Sequence, residues 1–178
     1  MDIKTLLLIA GSVLIPVNEL RGTLLFLYSE GYPNLLFLSA YCIVVNLLVA
    51  PLFFLFLNSL HKLFYKMNWY KKLFDKLVGR ARKKIHDQVE KYGYVGLMFF
   101  VAIPLPITGA YTGTIGAWVL GLNKKRSILF ISLGVVISGI IVSIIGLLAS
   151  SGSIFGFIII GAMVLAYIIF ILISRRGK

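Results

Sequence analysis

From Gly31 to His61 the chain carries no Lys, Arg, Asp or Glu. Residues 34–57 alone exceed the ~20 helical residues that cross a hydrocarbon core. A lipid-embedded segment has no water to satisfy its backbone, so it must hydrogen-bond to itself as a helix or join a closed barrel. A second uncharged stretch runs from Ser127 to Ser174, and the cluster Ser150-Ser151-Gly152-Ser153 divides it into helices over 128–149 and 154–173. With 60% hydrophobic and 13% charged residues, and a mean hydropathy of +0.98, a soluble fold would present apolar patches that water does not tolerate. The chain therefore reads as an all-α integral membrane protein, one membrane domain over 1–178, and not as a soluble enzyme.

Eighteen Lys+Arg face six Asp+Glu, a formal charge of +12. The basic residues flank the apolar stretches, as the positive-inside bias expects, and no nucleic-acid module accompanies them, so no nucleic-acid partner is expected. Residues 61–91 hold ten Lys/Arg and three acids, with Leu63, Met67, Tyr70, Phe74, Leu77, Ala81, Ile85 and Val89 at three- and four-residue steps. That pattern predicts a cytoplasmic amphipathic helix lying on the membrane surface, with anionic lipid headgroups as its partner. The lone Cys42 excludes an intrachain disulfide. Residues 1–15 faintly resemble a signal peptide, but no small-x-small cleavage site follows, and the segment is expected to be retained.

Two further apolar segments are interrupted. Thr5 to Ile15 is only 11 residues, about 16 Å as a helix, before Pro16-Val17-Asn18-Glu19-Leu20-Arg21-Gly22. Residues 94–122 contain Pro104, Pro106 and five glycines. Lys91, Lys124-Lys125-Arg126 and Arg175-Arg176-Lys178 all ask for the cytoplasmic side, and a re-entrant loop over 94–122 satisfies them together, whereas a single crossing does not. The expected architecture is therefore two inverted repeats. Each has a re-entrant broken hairpin (5–29; 94–122) followed by a transmembrane helix (34–57; 128–149), with 61–91 between them and a final transmembrane helix at 154–173. Paired broken segments of this kind point to a transporter with its site near the midplane. The N-terminus then lies outside; a single span over 5–29 would place it inside.

Glu19 and Arg21 are the only acid and base embedded within an apolar segment, and such residues mark function by default. Glu19 is the candidate for proton coupling, and Arg21, with its planar fork, for holding a phosphate. The competing reading is a structural pair that pins the loop. Pro104 to Thr114 gathers prolines, small residues and hydroxyls, so free backbone N–H groups at the returning half-helix, with Thr108, Gly109 and Thr112, form a candidate anion site; alternatively Gly109-x-x-x-Gly113 merely permits close packing. Asn18 and Asn46 complete the candidate substrate-binding set, with Pro16, Pro104 and Pro106 as the breaks. Asn46 reads equally well as an interhelical hydrogen bond. Ser132, Gly139, Ser143, Gly146 and Ser150 share a helical face that points to packing against another helix or a second copy of the chain. His61 and His86 read as ordinary interfacial residues. Metal-ligand spacing, a P-loop, a nucleophile elbow and paired catalytic carboxylates are absent from the sequence, so no metal, cofactor or enzymatic activity is expected.

The stretches Ile15-Pro16-Val17-Asn18-Glu19-Leu20-Arg21-Gly22 and Phe100-Val101-Ala102-Ile103-Pro104-Leu105-Pro106-Ile107-Thr108-Gly109-Ala110-Tyr111-Thr112-Gly113 resemble the small multi-drug export family, a distant branch of the DedA/VTT membrane protein superfamily. The likeness covers nearly the whole chain. It implies two opposed re-entrant hairpins in a prokaryotic cell membrane and, for the superfamily, movement of polyprenyl-phosphate or phospholipid, sometimes proton-linked. One departure stands out: DedA proteins carry arginines around the proline of the second hairpin, and none stands between Lys91 and Lys124 here. Three functions follow as expectations. The first is a transporter of an amphipathic, phosphate-bearing lipid; the second is an exporter of hydrophobic cations with Glu19 as counter-charge; the third is a non-transporting scaffold that binds anionic lipid.

Overall fold

A computed structural model describes residues 2–16, 18–67, 93–105, 108–151 and 161. Most of the 61–91 linker (68–91), the final helix 154–173 apart from Gly161, and Pro106 lie outside the described residues. The described residues form seven helices and no strand: α1 (Ile3–Val13), α2 (Glu19–Ser29), α3 (Leu35–Leu47), α4 (Val49–Phe64), α5 (Gly93–Ala102), α6 (Ala110–Leu120) and α7 (Lys124–Ser150).

Both interrupted segments fold back on themselves. Pro16 disfavours helical geometry at Ile15, and α1 closes with the Leu14 N–H on Ala10 O at 3.1 Å. Residues 12 and 23 would stand about 16 Å apart in a continuous helix, yet the Ser12 and Thr23 hydroxyls are 3.0 Å apart. In the second segment a Cβ built on Gly113 of α6 would meet Val101 Cγ2 of α5 at 2.7 Å, so α5 lies directly against α6. The segment's two ends also meet: the Asn123 N–H donates to the Tyr94 hydroxyl at 3.0 Å.

The two halves share a stop and a start. α2 ends at Gly31 (φ +64) and α6 at Gly121 (φ +72), conformations that cost glycine least. In each case the following N–H reaches back to the carbonyl five residues earlier, Tyr32 to Leu27 O at 3.2 Å and Leu122 to Ala117 O at 3.0 Å. An asparagine then opens the next helix: Asn34 before α3 and Asn123 before α7. The Asn123 side chain accepts from the Lys125 and Arg126 N–H groups at 3.0 and 3.3 Å.

α3 and α4 together make one 30-residue helix, Leu35–Phe64. It loosens at Leu48, next to the Leu47 carbonyl that would receive the N–H missing from Pro51. This helix runs past residue 57, where the apolar run suggested it would end, and carries His61 to Phe64 within α4 rather than in a separate surface helix. α7, 27 residues long, likewise starts at Lys124 rather than at 128. Both helices are long and apolar enough to cross a membrane, and most of each is not buried. Their outward residues, among them Leu36 at 85% exposure, together with Leu8 of α1 at 75%, belong in lipid rather than water.

α2 packs between α3 and α7, and α6 between α4 and α7, so each returning half-helix lies against the long helix of the other half. Glycines on α7 allow this approach. A Cβ on Gly134 would stand 2.7 Å from Met98 O, and one on Gly146 2.6 Å from the Tyr28 ring. The buried face of α7 runs through Ser127, Ile131, Gly134, Ser138, Val142 and Ile145. Of the small-residue face expected from sequence, Gly139 and Gly146 are buried, Ser132 and Ser143 half-buried, and Ser150 exposed.

Candidate functional site

Glu19 opens α2 immediately after the Pro16 break and holds φ at +45°, a left-handed conformation a glutamate adopts at a cost of ~1–3 kcal/mol. That backbone aims the carboxylate across the molecule at α6. Oε1 accepts from the Tyr111 N–H at 3.4 Å, and the Ala110 N–H also donates to the carboxylate. Gly109 has no Cβ where the carboxylate lies, and a side chain there would collide with it. Glu19 is thus the negative cap on the positive end of α6.

Arg21 does the converse. All five of its N–H donors are engaged: Nε with Ser138 Oγ at 3.1 Å, one terminal nitrogen with Leu105 O and Thr108 Oγ1, and the other with Val101 O at 2.8 Å and Thr108 O at 3.3 Å. A cation therefore sits against the carbonyl-rich end of α5, where the helix dipole favours it. The segment between Lys91 and Lys124 has no arginine of its own; Arg21 brings one to it from the first break. The contact is reciprocal, because the Tyr111 hydroxyl of α6 donates to Leu14 O at the end of α1 at 2.6 Å.

A small cavity of about 10 Å³ lies between these groups, walled by Glu19, Arg21, Asn46, Gly109, Val135 and Ser138 among others. Asn46 is 1% exposed, and among the described residues its Nδ2 has no hydrogen-bond partner.

Of the sequence-predicted residues, Glu19, Arg21, Thr108, Gly109 and Asn46 are brought together. Asn18 and Thr112 are not among the residues walling the cavity: Asn18 Nδ2 donates to Ser12 Oγ at 2.6 Å, and Thr112 Oγ1 donates to Gly109 O at 3.1 Å within its own helix. Pro16 and Pro104 lie in the breaks, Pro16 exposed and Pro104 half-buried. The N–H groups at the start of α6, expected to be free for an anion, are held by the chain's own carboxylate. Among the described residues no group of three or more His, Cys, Asp and Glu is placed to hold a metal ion. Two participants carried no assigned role in the sequence reading: Ser138, one hydroxyl among many in an apolar helix, and Tyr111, whose aromatic ring gave no hint of its carbonyl partner.

The fold and site define a helical membrane protein with two long apolar helices and a buried acid and a half-buried base seated in a helix break. The chain belongs to the family described as "Putative small multi-drug export protein", which it matches over residues 19–141, more than half of its length. The match begins at Glu19 and includes Arg21, the second break and Ser138. No curated protein and no solved structure matches the chain.

Proposed function

We propose that the chain is a membrane transporter that moves an amphipathic, phosphate-bearing lipid, polyprenyl phosphate or phospholipid, in exchange with or together with protons. The observation that carries this reading is the sign of the site: Arg21, the N-terminus of α6 and the Asn46 amide are three electropositive features gathered around one carboxylate. Such a site suits an anion. A cation would need an acid with no counter-charge, and Glu19 is already answered. An apolar cleft of about 630 Å³, lined by Leu25, Phe26, Tyr28, Gly146 and Ala149, lies at the far end of the same α2 helix, where hydrocarbon could follow a headgroup held at its start.

In this reading the two folded-back segments are re-entrant hairpins of a DedA-like inverted repeat in a prokaryotic cell membrane, and 61–91 and the C-terminus are cytoplasmic. The shared glycine stop and asparagine start, the exchanged packing of α2 and α6, and the contact of Tyr94 with Asn123 support it. The second reading, export of hydrophobic cations, is favoured by the description of the family.

Reconstituted chain in proteoliposomes separates them. With a pH gradient imposed, a fluorescent polyprenyl phosphate or phospholipid should change leaflet, and ethidium should not accumulate. Gradient-driven ethidium uptake with no lipid movement would reverse the order of the two readings, and neither movement would leave a scaffold.

A further inference from the structure

We propose that Glu19 is a tethered occupant of an anion site, and that a phosphate group binds there only when Glu19 takes up a proton and leaves the N-terminus of α6. This rests on the phosphate reading above and adds a mechanism of coupling to it.

Three observations meet at one place. The N–H groups of Ala110 and Tyr111 are held by a carboxylate that comes from another helix. The carboxylate lies in a space kept open by the missing side chain of Gly109. Beside it, Asn46 presents into the same cavity an amide nitrogen, 99% buried, that has no partner among the described residues. A buried donor without an acceptor is costly unless something fills the site during the working cycle. The donor set, two backbone N–H groups at a helix N-terminus and one amide, is the set that holds a phosphate oxygen. In the present state it is short of one acceptor, because Glu19 satisfies the backbone donors and not Asn46.

Charge conservation sets the coupling. Arg21 and Glu19 together are neutral, and an added anion would leave a net negative charge in a low-dielectric interior. If Glu19 is protonated as the anion enters, Arg21 keeps one counter-anion throughout: the carboxylate before, the phosphodiester after. One proton from solution is bound for each phosphodiester bound, and it is released when the anion leaves and the carboxylate returns. The left-handed backbone at Glu19 favours departure, since the strain is relieved when the contact is given up.

The titratable groups facing Glu19 are few. Among the described residues, Arg21 lies on its own helix and Tyr111 on α6, while α3 brings the uncharged Asn46. α5 and α7 bring only carbonyls and hydroxyls to the site. A pH dependence of anion binding is therefore assigned to Glu19.

The test is calorimetric titration of the full-length chain in detergent with dimethyl phosphate and, separately, with a short-chain phosphatidylglycerol. Both carry a phosphodiester whose own charge stays fixed across the working pH range. The pair distinguishes a free phosphate group from a lipid headgroup as the source. For the parent chain, affinity should fall about tenfold per pH unit wherever free Glu19 is ionised, because one proton is linked to one anion. Titration in buffers of different ionisation enthalpy should show one proton taken up. Glu19→Gln should bind with no pH slope and no proton uptake. Glu19→Gly, which also removes the left-handed strain, gives the same reading should the amide of glutamine still occupy the site. Asn46→Leu should weaken binding about tenfold while keeping the slope. Parent binding that is pH-independent, or weaker binding to both Glu19 variants, overturns the exchange and leaves the phosphate reading standing. Absence of binding by either probe to any of the proteins overturns both.

Discussion

Replacing Arg21 by alanine should unfold the protein earlier than any other single change in the described helices. The side chain places five donors on Val101 O, Leu105 O, Thr108 O, Thr108 Oγ1 and Ser138 Oγ. Hydrogen bonds from a charged group contribute ~1.5–3 kcal/mol each in isolation, but those from one side chain do not add independently. A firmer figure comes from removing one partner of a buried charge pair, about 3–5 kcal/mol; Arg21 is half-buried and acts on Glu19 through space, so the low end applies. In a chain of this length that lowers the unfolding midpoint by on the order of 10 °C. Arg21→Lys keeps the charge but not the planar fork and should lose roughly half as much. Adding Glu19→Gln to Arg21→Ala should cost less than the two single losses combined, because no uncompensated carboxylate remains. Cys42 supplies the assay. It is the only cysteine and fully buried, so a thiol-reactive fluorophore reports unfolding without further engineering. An Arg21→Ala midpoint within ~0.5 kcal/mol of the parent, the range of an ordinary surface change, would refute the reasoning.

Gly93→Cys and Asn123→Cys, in a Cys42→Ala background, should react with a membrane-impermeant reagent from the same side, since Tyr94 and Asn123 touch; labelling from opposite sides would rule out the re-entrant arrangement. Gly134→Ala sets a methyl 2.7 Å from the Met98 carbonyl and should lower stability by about 1–3 kcal/mol in the same thiol assay, whereas Gly116→Ala, with nothing within 4 Å, should not. A peptide of residues 61–91 should partition into anionic vesicles in preference to neutral ones and be released by salt; equal partitioning would remove anionic lipid as its partner.

The uncharged runs were enough to place both long helices, because hydropathy over 20 or more residues leaves a chain few alternatives. The breaks were legible for a related reason: an 11-residue apolar run ending in proline, followed by an acid and a base, cannot continue as a lipid-facing helix. The ends of the long helices were not, because a helix stops where its hydrogen bonds stop rather than where apolar residues do. Asn58, His61 and Lys62 simply continue α4. The matching stops at Gly31 and Gly121 and starts at Asn34 and Asn123 were present in the letters, but the intervals differ by one residue and the halves are otherwise dissimilar in sequence, which conceals them. The docking of Glu19 on Gly109 spans 90 positions (109 − 19), and no local rule connects them. Asn18 and Thr112, polar residues beside the breaks, hydrogen-bond to nearby residues, as short polar side chains near helix ends do.

Each half of the molecule closes the open helix ends of the other, Glu19 and Arg21 for the second break and Tyr111 for the first. The ribosome makes the halves in order. A nascent chain that has reached residue 67 already contains the glutamate and the arginine, while the carbonyls and amides that answer them have yet to be synthesised. Until α5 and α6 arrive, those two charges need water, lipid headgroups or the insertion machinery for company. Biogenesis is thus tied to the completion of the chain, and a stop codon or a stall before residue 111 should yield a product that is degraded rather than half a working protein.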